Sequence, residues 1–331
     1  MVNTSLKSLP WLLEADPINP GVRYFALRDL LDQPPDDHDV RQAQAAVMAT
    51  GPVPQILAAQ AANGSWGTPA DENGYGATPW QIMCLADLGA DANDERVQSG
   101  CDYLLDTYLA ATGAFAARMP RPVPSKAVHC HNGELIYALI RLGRLDDPRL
   151  QGAIEWQART ITGTDAVQYY KSGTAGPGFA CGVNLGQPCG WGATKALRGL
   201  SAIPAAQRSE AVRRALAVGV EFLLSRDPAV ADYPYTARVS SSWFKFGFPL
   251  SYQSDLLETT AALVDLGYGR DPRLAHALQF ILSKQDEQGR WRMERSFNSK
   301  MLVDIEEKGK ASKWITLRAL RVLKQAGCAL T

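Results

Sequence analysis

The chain has 331 residues, with 34 basic and 34 acidic side chains and six cysteines. Charge this balanced, with no lysine or arginine run, gives no footing for nucleic acid or an anionic membrane as a partner. No apolar run reaches the roughly 20 residues that span a bilayer, no signal-peptide pattern opens the sequence, and cysteines this sparse favour reduced thiols; a cytoplasmic protein is expected.

Residues 1–19 read as a lead-in to a single domain covering 1–331. From Pro20 onward, helical periodicity alternates with loops. Gly21 to Asp32 and Asp37 to Thr50 make a first pair, separated by the breaker Pro34-Pro35, and Val53 to Ala61 adds a short helix. The pairs that follow are Pro79 to Leu88 with Asp94 to Leu109, His131 to Leu142 with Asp147 to Arg159, Gly190 to Leu200 with Ala205 to Leu224, and Asp255 to Leu266 with Asp271 to Lys284. Leu142-Gly143 and Leu266-Gly267 each end a helix, and Asp147-Pro148 and Asp271-Pro272 each start the next with a cap and a first-turn proline. These units recur about 55 to 65 residues apart, which marks a repeat architecture.

Gln60 to Trp66 and Gln285 to Trp291 both read Q-x3-G-x-W after an amphipathic helix. The glutamine suits orphan carbonyls at a helix end and the tryptophan suits a cover over a neighbouring helix end, so each stretch is read as a fastener between units. The last helix, Lys313 to Gln325, has no helix after it and is expected to pair with an N-terminal element. No run alternates cleanly enough for a strand. The expected fold is all-α, an (α/α)6 toroid of roughly twelve helices closed into a ring.

Turns within a pair are short, while connections between pairs are long: Gly64 to Thr78, Ala110 to Cys130, Ile161 to Cys189, Asp227 to Ser254 and Gly289 to Ser312. A closed ring gathers the long ones on one rim, where a site is expected. That rim collects His129, Cys130, His131, Cys181 and Cys189. Zinc favours thiolate and imidazole, and a catalytic zinc takes three protein ligands, so Cys130, Cys181 and Cys189 form the expected metal set. Bare thiols with a histidine would instead serve acid–base chemistry. Asp255, with Tyr252 beside it, suits a base or an N-cap. Trp80, Trp191, Trp243, Phe246 and Trp314 are candidates to line an apolar pocket.

The two Q-x3-G-x-W stretches and the Leu-Gly…Asp-Pro-Arg-Leu units resemble the squalene cyclase and prenyltransferase repeat superfamily, and Phe246 to Lys324 looks especially like bacterial squalene-cyclase-like proteins. The resemblance implies an α/α toroid with its site in the central cavity. The D-x-D-D motif of triterpene cyclases is missing from the central and C-terminal repeats. Cys130-His131 is similar to the Cys-His pair of lanthionine cyclases, which implies zinc, while linalool dehydratase-isomerase, another such barrel, implies two cysteines and a histidine without metal. The expectation is an enzyme acting on a hydrophobic, isoprenoid-like substrate with a cysteine-rich zinc site. Its alternatives are a metal-free lyase or isomerase, and a non-catalytic toroid that binds a hydrophobic ligand or peptide.

Overall fold

The structure, a computed structural model, describes residues 3–4, 7–67, 74–116, 127–164, 175–233 and 240–330. Its helices are α1 (Leu9–Leu13), α2 (Pro20–Phe25), α3 (His38–Ala49), α4 (Pro52–Ala58), α5 (Thr78–Leu88), α6 (Glu95–Tyr108), α7 (His129–Arg141), α8 (Pro148–Thr162), α9 (Gly190–Ser201), α10 (Glu210–Leu224), α11 (Leu256–Asp265), α12 (Ala275–Ser283) and α13 (Lys313–Gln325). Helix α2 runs on into one π turn, Ala26–Leu30.

An inner ring runs α2, α5, α7, α9, α11, α13 and back to α2: α7 packs on α5 and α9, α11 on α9 and α13, and α13 on α2. The α2–α5 seam closes where Gly21 lies against the Leu88 carbonyl. Inner helices are buried nearly all round, as α5 shows with buried residues from Thr78 through Ala86 and Leu88. Outer helices bury one stripe: α6 buries Val97, Gly100, Cys101, Leu104, Leu105 and Tyr108, at helical spacing. The sixth outer element is α1, which packs on α13. The expected N-terminal partner therefore exists and the toroid is closed.

Both fasteners work alike. Trp66 donates its indole N–H to Ile56 O at 2.7 Å and its backbone N–H to Thr78 Oγ1 at 2.9 Å. Trp291 donates to Ile281 O at 2.7 Å and to Thr316 Oγ1 at 3.0 Å. Each tryptophan thus satisfies a last-turn carbonyl of the outer helix before it and ties that helix to the inner helix after it. Gln60 goes elsewhere than expected, bonding Arg96 O at 2.9 Å in the first turn of the next outer helix. The Asp caps recur with an arginine two residues on: Asp94, Asp147 and Asp271 each accept from that arginine's backbone N–H at 2.9 Å and also hold its guanidinium. Gly143 and Gly267 take the left-handed turn after their helices, at φ 80° and 92°.

Several boundaries differ from the sequence reading. Helix α7 starts at His129, α10 starts at Glu210 under a Ser209 cap, and Ala205–Gln207 is a separate 3-10 turn. Four two-residue strands occur where none was expected: β1 (Asn3–Thr4) pairs in parallel with β4 (Ala329–Leu330), and β2 (Trp291–Arg292) pairs with β3 (Ala311–Ser312). Pairs this short leave no periodic trace in sequence.

The closest helix approach is α7 on α9. Gly133 meets the Lys195 carbonyl and Gly199 meets the Gly133 carbonyl with no room for a Cβ. Gly133→Ala is expected to cost about 1–3 kcal/mol or more by overpacking, read as a lowered urea midpoint; an unchanged midpoint would show that the crossing yields freely.

Candidate functional site

The close α7–α9 crossing sets four charged groups facing one another inside the ring. Lys195 Nζ lies 2.8 Å from Glu134 Oε2 and 2.8 Å from Glu258 Oε1, with both carboxylates and the ammonium buried. Arg198 reaches Glu134 Oε1 at 2.5 Å, Glu258 Oε1 at 3.0 Å and Asp87 Oδ1 at 2.5 Å, stacked 3.8 Å over the Tyr137 ring. Ser254, also buried, donates to Glu258 Oε2 at 2.7 Å. Burying charge is costly unless it is paired, and here Glu134, Lys195, Arg198 and Glu258 are each paired more than once.

The two glutamates are pushed apart. Burial raises the Glu134 carboxyl above its ordinary value against the pull of Arg198 and Lys195. Burial also acts on Glu258, but Lys195 and Arg198 outweigh it and hold that carboxyl below its ordinary value. One carboxyl inclined to keep a proton beside one inclined to lose it is the arrangement that acid–base sites use. Arg198 is held well above the ordinary guanidinium value by Asp87 and Glu134 in spite of burial.

A cavity of about 100 Å³ adjoins this network. Asp87, Arg198 and Glu258 stand on its wall, with Phe25, Phe248, Leu250, Leu257, Trp314 and Leu317 as apolar lining. Asp29, Asp265 and Arg321 lie at the short-turn end, while Arg318 reaches Asp255 and Gly247 at the other. Arg321 and Asp265 are 35% and 29% exposed, while Phe248, Leu250 and Trp314 at the other end are 4%, 3% and 2% exposed. Phe248 stacks on Trp314 at 4.3 Å and 11°. Among the described residues the part-exposed charges of the lining thus stand at the short-turn end, while Phe248 and Leu250, just before α11, close the other end with Trp314. At roughly 30 Å³ per water, the space takes a group of a few heavy atoms.

The expected cysteine and histidine cluster is assembled but packed. Cys181 and Cys189 are buried, Cys130 is half-buried, and all three are free thiols. Burial pushes Cys130 up to about 12, and a thiol hydrogen bond with Cys181, with burial, raises Cys189 well above its ordinary value. The Cys189 sulfur caps α9 by accepting from Gly192 N at 3.4 Å. Among the described residues no group of three or more His, Cys, Asp or Glu side chains is placed to hold a metal ion. Zinc binds cysteine as thiolate, so a metal here would have to displace the protons that burial favours on Cys130 and Cys189.

Buried His129 has both nitrogens engaged: Nε2 lies 2.8 Å from the Gly176 carbonyl, to which it donates, and Nδ1 accepts from Gln157 Nε2 at 2.7 Å. His131 is half-buried on the first turn of α7. Asp255 is the N-cap of α11, accepting from Glu258 N at 2.8 Å and Gly247 N at 3.2 Å, with Arg318 at 3.6 Å; burial raises its carboxyl against the pull of Arg318. Tyr252 is 47% exposed. Of the expected pocket aromatics, Trp314 lines the cavity. Trp80 packs edge-on to Tyr75 and Phe297, Trp243 bonds Pro228 O at 2.9 Å, Phe246 packs on Phe280, and Trp191 is half-buried at the start of α9. Residues 68–73, 117–126, 165–174 and 234–239 of the long connections lie outside the described residues.

Sequence reasoning missed Asp87, Glu134, Lys195, Arg198 and Glu258. Their signal was present: each is a charge inside an otherwise apolar inner helix, and buried charge without a partner is rare.

No protein-family model and no curated protein matches the chain. Among solved structures it is similar to a protein from Actinoplanes, at 15% identity over 93% of this chain and 90% of that one with a TM-score of 0.45. It is similar also to an unsaturated glucuronyl hydrolase from Bacillus sp. GL1, at 12% identity over 92% and 84% with a TM-score of 0.49. A third is the type II terpene cyclase MstE from Scytonema, at 15% identity over 94% and 88% with a TM-score of 0.45. At this level the likenesses carry no argument about chemistry. Among the described residues no helix is long and apolar enough to cross a membrane.

Two measurements follow from the packed cluster. Burial lowers His129 to about 4, so below the unfolded value near 6.5 the unfolded chain binds the extra proton. Stability is full above about pH 6.5 and falls as pH drops toward about 4, by roughly 3 kcal/mol in total; His129→Gln is expected to flatten that limb in pH-dependent urea unfolding. Elemental analysis of untagged protein is expected to find far less than one zinc per chain. Stoichiometric zinc that is lost in Cys130→Ser would restore the metal reading.

Proposed function

We propose that the chain is an enzyme that moves protons on a small molecule held in the ring, as a lyase or isomerase using carboxylates instead of thiols. One observation carries the reading: Arg198 bridges Asp87, Glu134 and Glu258 beside a cavity in the ring. An interior with five charged groups costs stability, and its placement beside empty space is what a reaction centre requires.

Asp87 uses Oδ1 for Arg198 and stands on the cavity wall. It is the base in this reading, taking a proton from a carbon or hydroxyl of the substrate. Arg198 steadies the charge that develops, and Glu258, held in place by Lys195 and Ser254, keeps the guanidinium aimed. Return of the proton at another atom gives isomerisation; loss of a leaving group gives elimination. The apolar wall of Phe25, Phe248, Leu250 and Trp314 favours an apolar body next to the reacting group.

The test reads proton abstraction directly. A panel of small unsaturated alcohols and carbonyl compounds is incubated with the protein in D2O and followed by NMR. Wild type is expected to exchange carbon-bound hydrogen in at least one member, with Asp87→Asn slower by about 10²–10⁴ while circular dichroism stays unchanged. No exchange with any member, or equal exchange in Asp87→Asn, would sink the acid–base reading and favour a binding toroid. Glu258→Gln is expected to cost about 3–5 kcal/mol of stability, because Lys195 and Arg198 lose a buried counter-charge.

A further inference from the structure

Around Phe297, on the long-connection side, three buried hydrogen-bond donors have no partner among the described residues. They are Nε and Nη2 of Arg295 and Nε1 of Trp80. An unmet buried donor carries its full desolvation cost, and a charged one more so. The Arg295 pair forms the side-on edge of the guanidinium, which matches the two oxygens of a carboxylate.

The surroundings fit such a ligand. Arg295 is anchored through Nη1 to Gln253 Oε1 at 2.5 Å and lies 5.6 Å over the Phe297 ring, so its edge is fixed. Phe297 is also the neighbour of Trp80, at 5.6 Å and 78°, and of Tyr75 at 5.0 Å. Tyr75 meets Trp80 edge-on at 4.8 Å. Three aromatic rings thus stand together with the unpaired guanidinium edge. The cover is thin: Tyr252, next to Gln253, is 47% exposed, and Leu302, against Gly76, is 45% exposed. Burial lowers the Arg295 guanidinium against the pull of Asp255 and Glu258.

We infer that Arg295, Trp80, Tyr75 and Phe297 form a binding site for a small aromatic carboxylate, the carboxylate seated on Arg295 Nε and Nη2 and within reach of the Trp80 indole N–H, and the ring among the aromatics. This site stands on its own observations and does not depend on the acid–base reading of the cavity.

The experiment titrates the full chain with benzoate, phenylacetate, the neutral isostere benzamide and inorganic phosphate, by calorimetry and ligand-observed NMR. Benzoate or phenylacetate is expected to bind at least about tenfold more tightly than benzamide or phosphate. Arg295→Lys keeps the charge but removes the fork and is expected to erase that preference, while Trp80→Phe keeps the ring, loses the N–H and weakens binding severalfold. Thermal unfolding of each variant separates lost binding from lost fold. Equal affinity for benzoate and benzamide, phosphate binding as tightly as benzoate, no binding of either carboxylate by wild type, or a preference that survives in folded Arg295→Lys would each overturn the proposal.

Discussion

The chemistry of this protein depends on one close contact. Where α7 crosses α9, two glycines let the backbones touch, so Glu134, next in sequence to Gly133, meets Lys195 and Arg198 across the seam. Any side chain at that crossing would part the helices, and the ion pairs would open with them. Arg198 then carries the contact onward to Asp87 on α5 and Glu258 on α11, so four of the six inner helices share one charge network. Low dielectric makes each pairing strong and each missing partner expensive. The same network thus fixes the ring and charges its interior.

The rest of the fold holds that ring shut. The two tryptophan fasteners use the same pair of bonds at opposite ends of the chain, a helix-end carbonyl on one side and an inner-helix threonine on the other. Helix α1 docks beside α13 through Ser8 to the Gly289 carbonyl, Lys313 to Asp16, and Trp11 under Arg290. Closure matters for the site because Trp314, on α13, also supplies the cavity wall and stacks against Phe248. A toroid opened at this seam would lose its charged interior to water.

Repeat, cap and fastener signals were legible in sequence because they are local: a glycine after leucine, an aspartate before proline, a tryptophan six residues after glutamine. The cysteine cluster was legible too, as a meeting of Cys130, Cys181 and Cys189 on one rim. Its chemistry was not. Residue type suggests a ligand, but burial favours the protonated thiol, at Cys130 even against the pull of Lys195, and only packing sets burial. His129 makes the same point, since both ring nitrogens are taken by Gly176 and Gln157, each far away in sequence.

The sequence by itself determined an all-α closed ring, where its helices turn, and which residues fasten one unit to the next, because these follow from neighbours within a few turns. Only the tertiary structure decided which end of the cavity is closed, that Asp87, Glu134, Lys195, Arg198 and Glu258 meet in one network, and that Arg295 and Trp80 are left with unmet donors. Those facts turn on groups brought together from different helices and connections. A charge buried inside the ring has no meaning until the partner across the seam is in place, and that distance is a property of the closed ring and of no single segment.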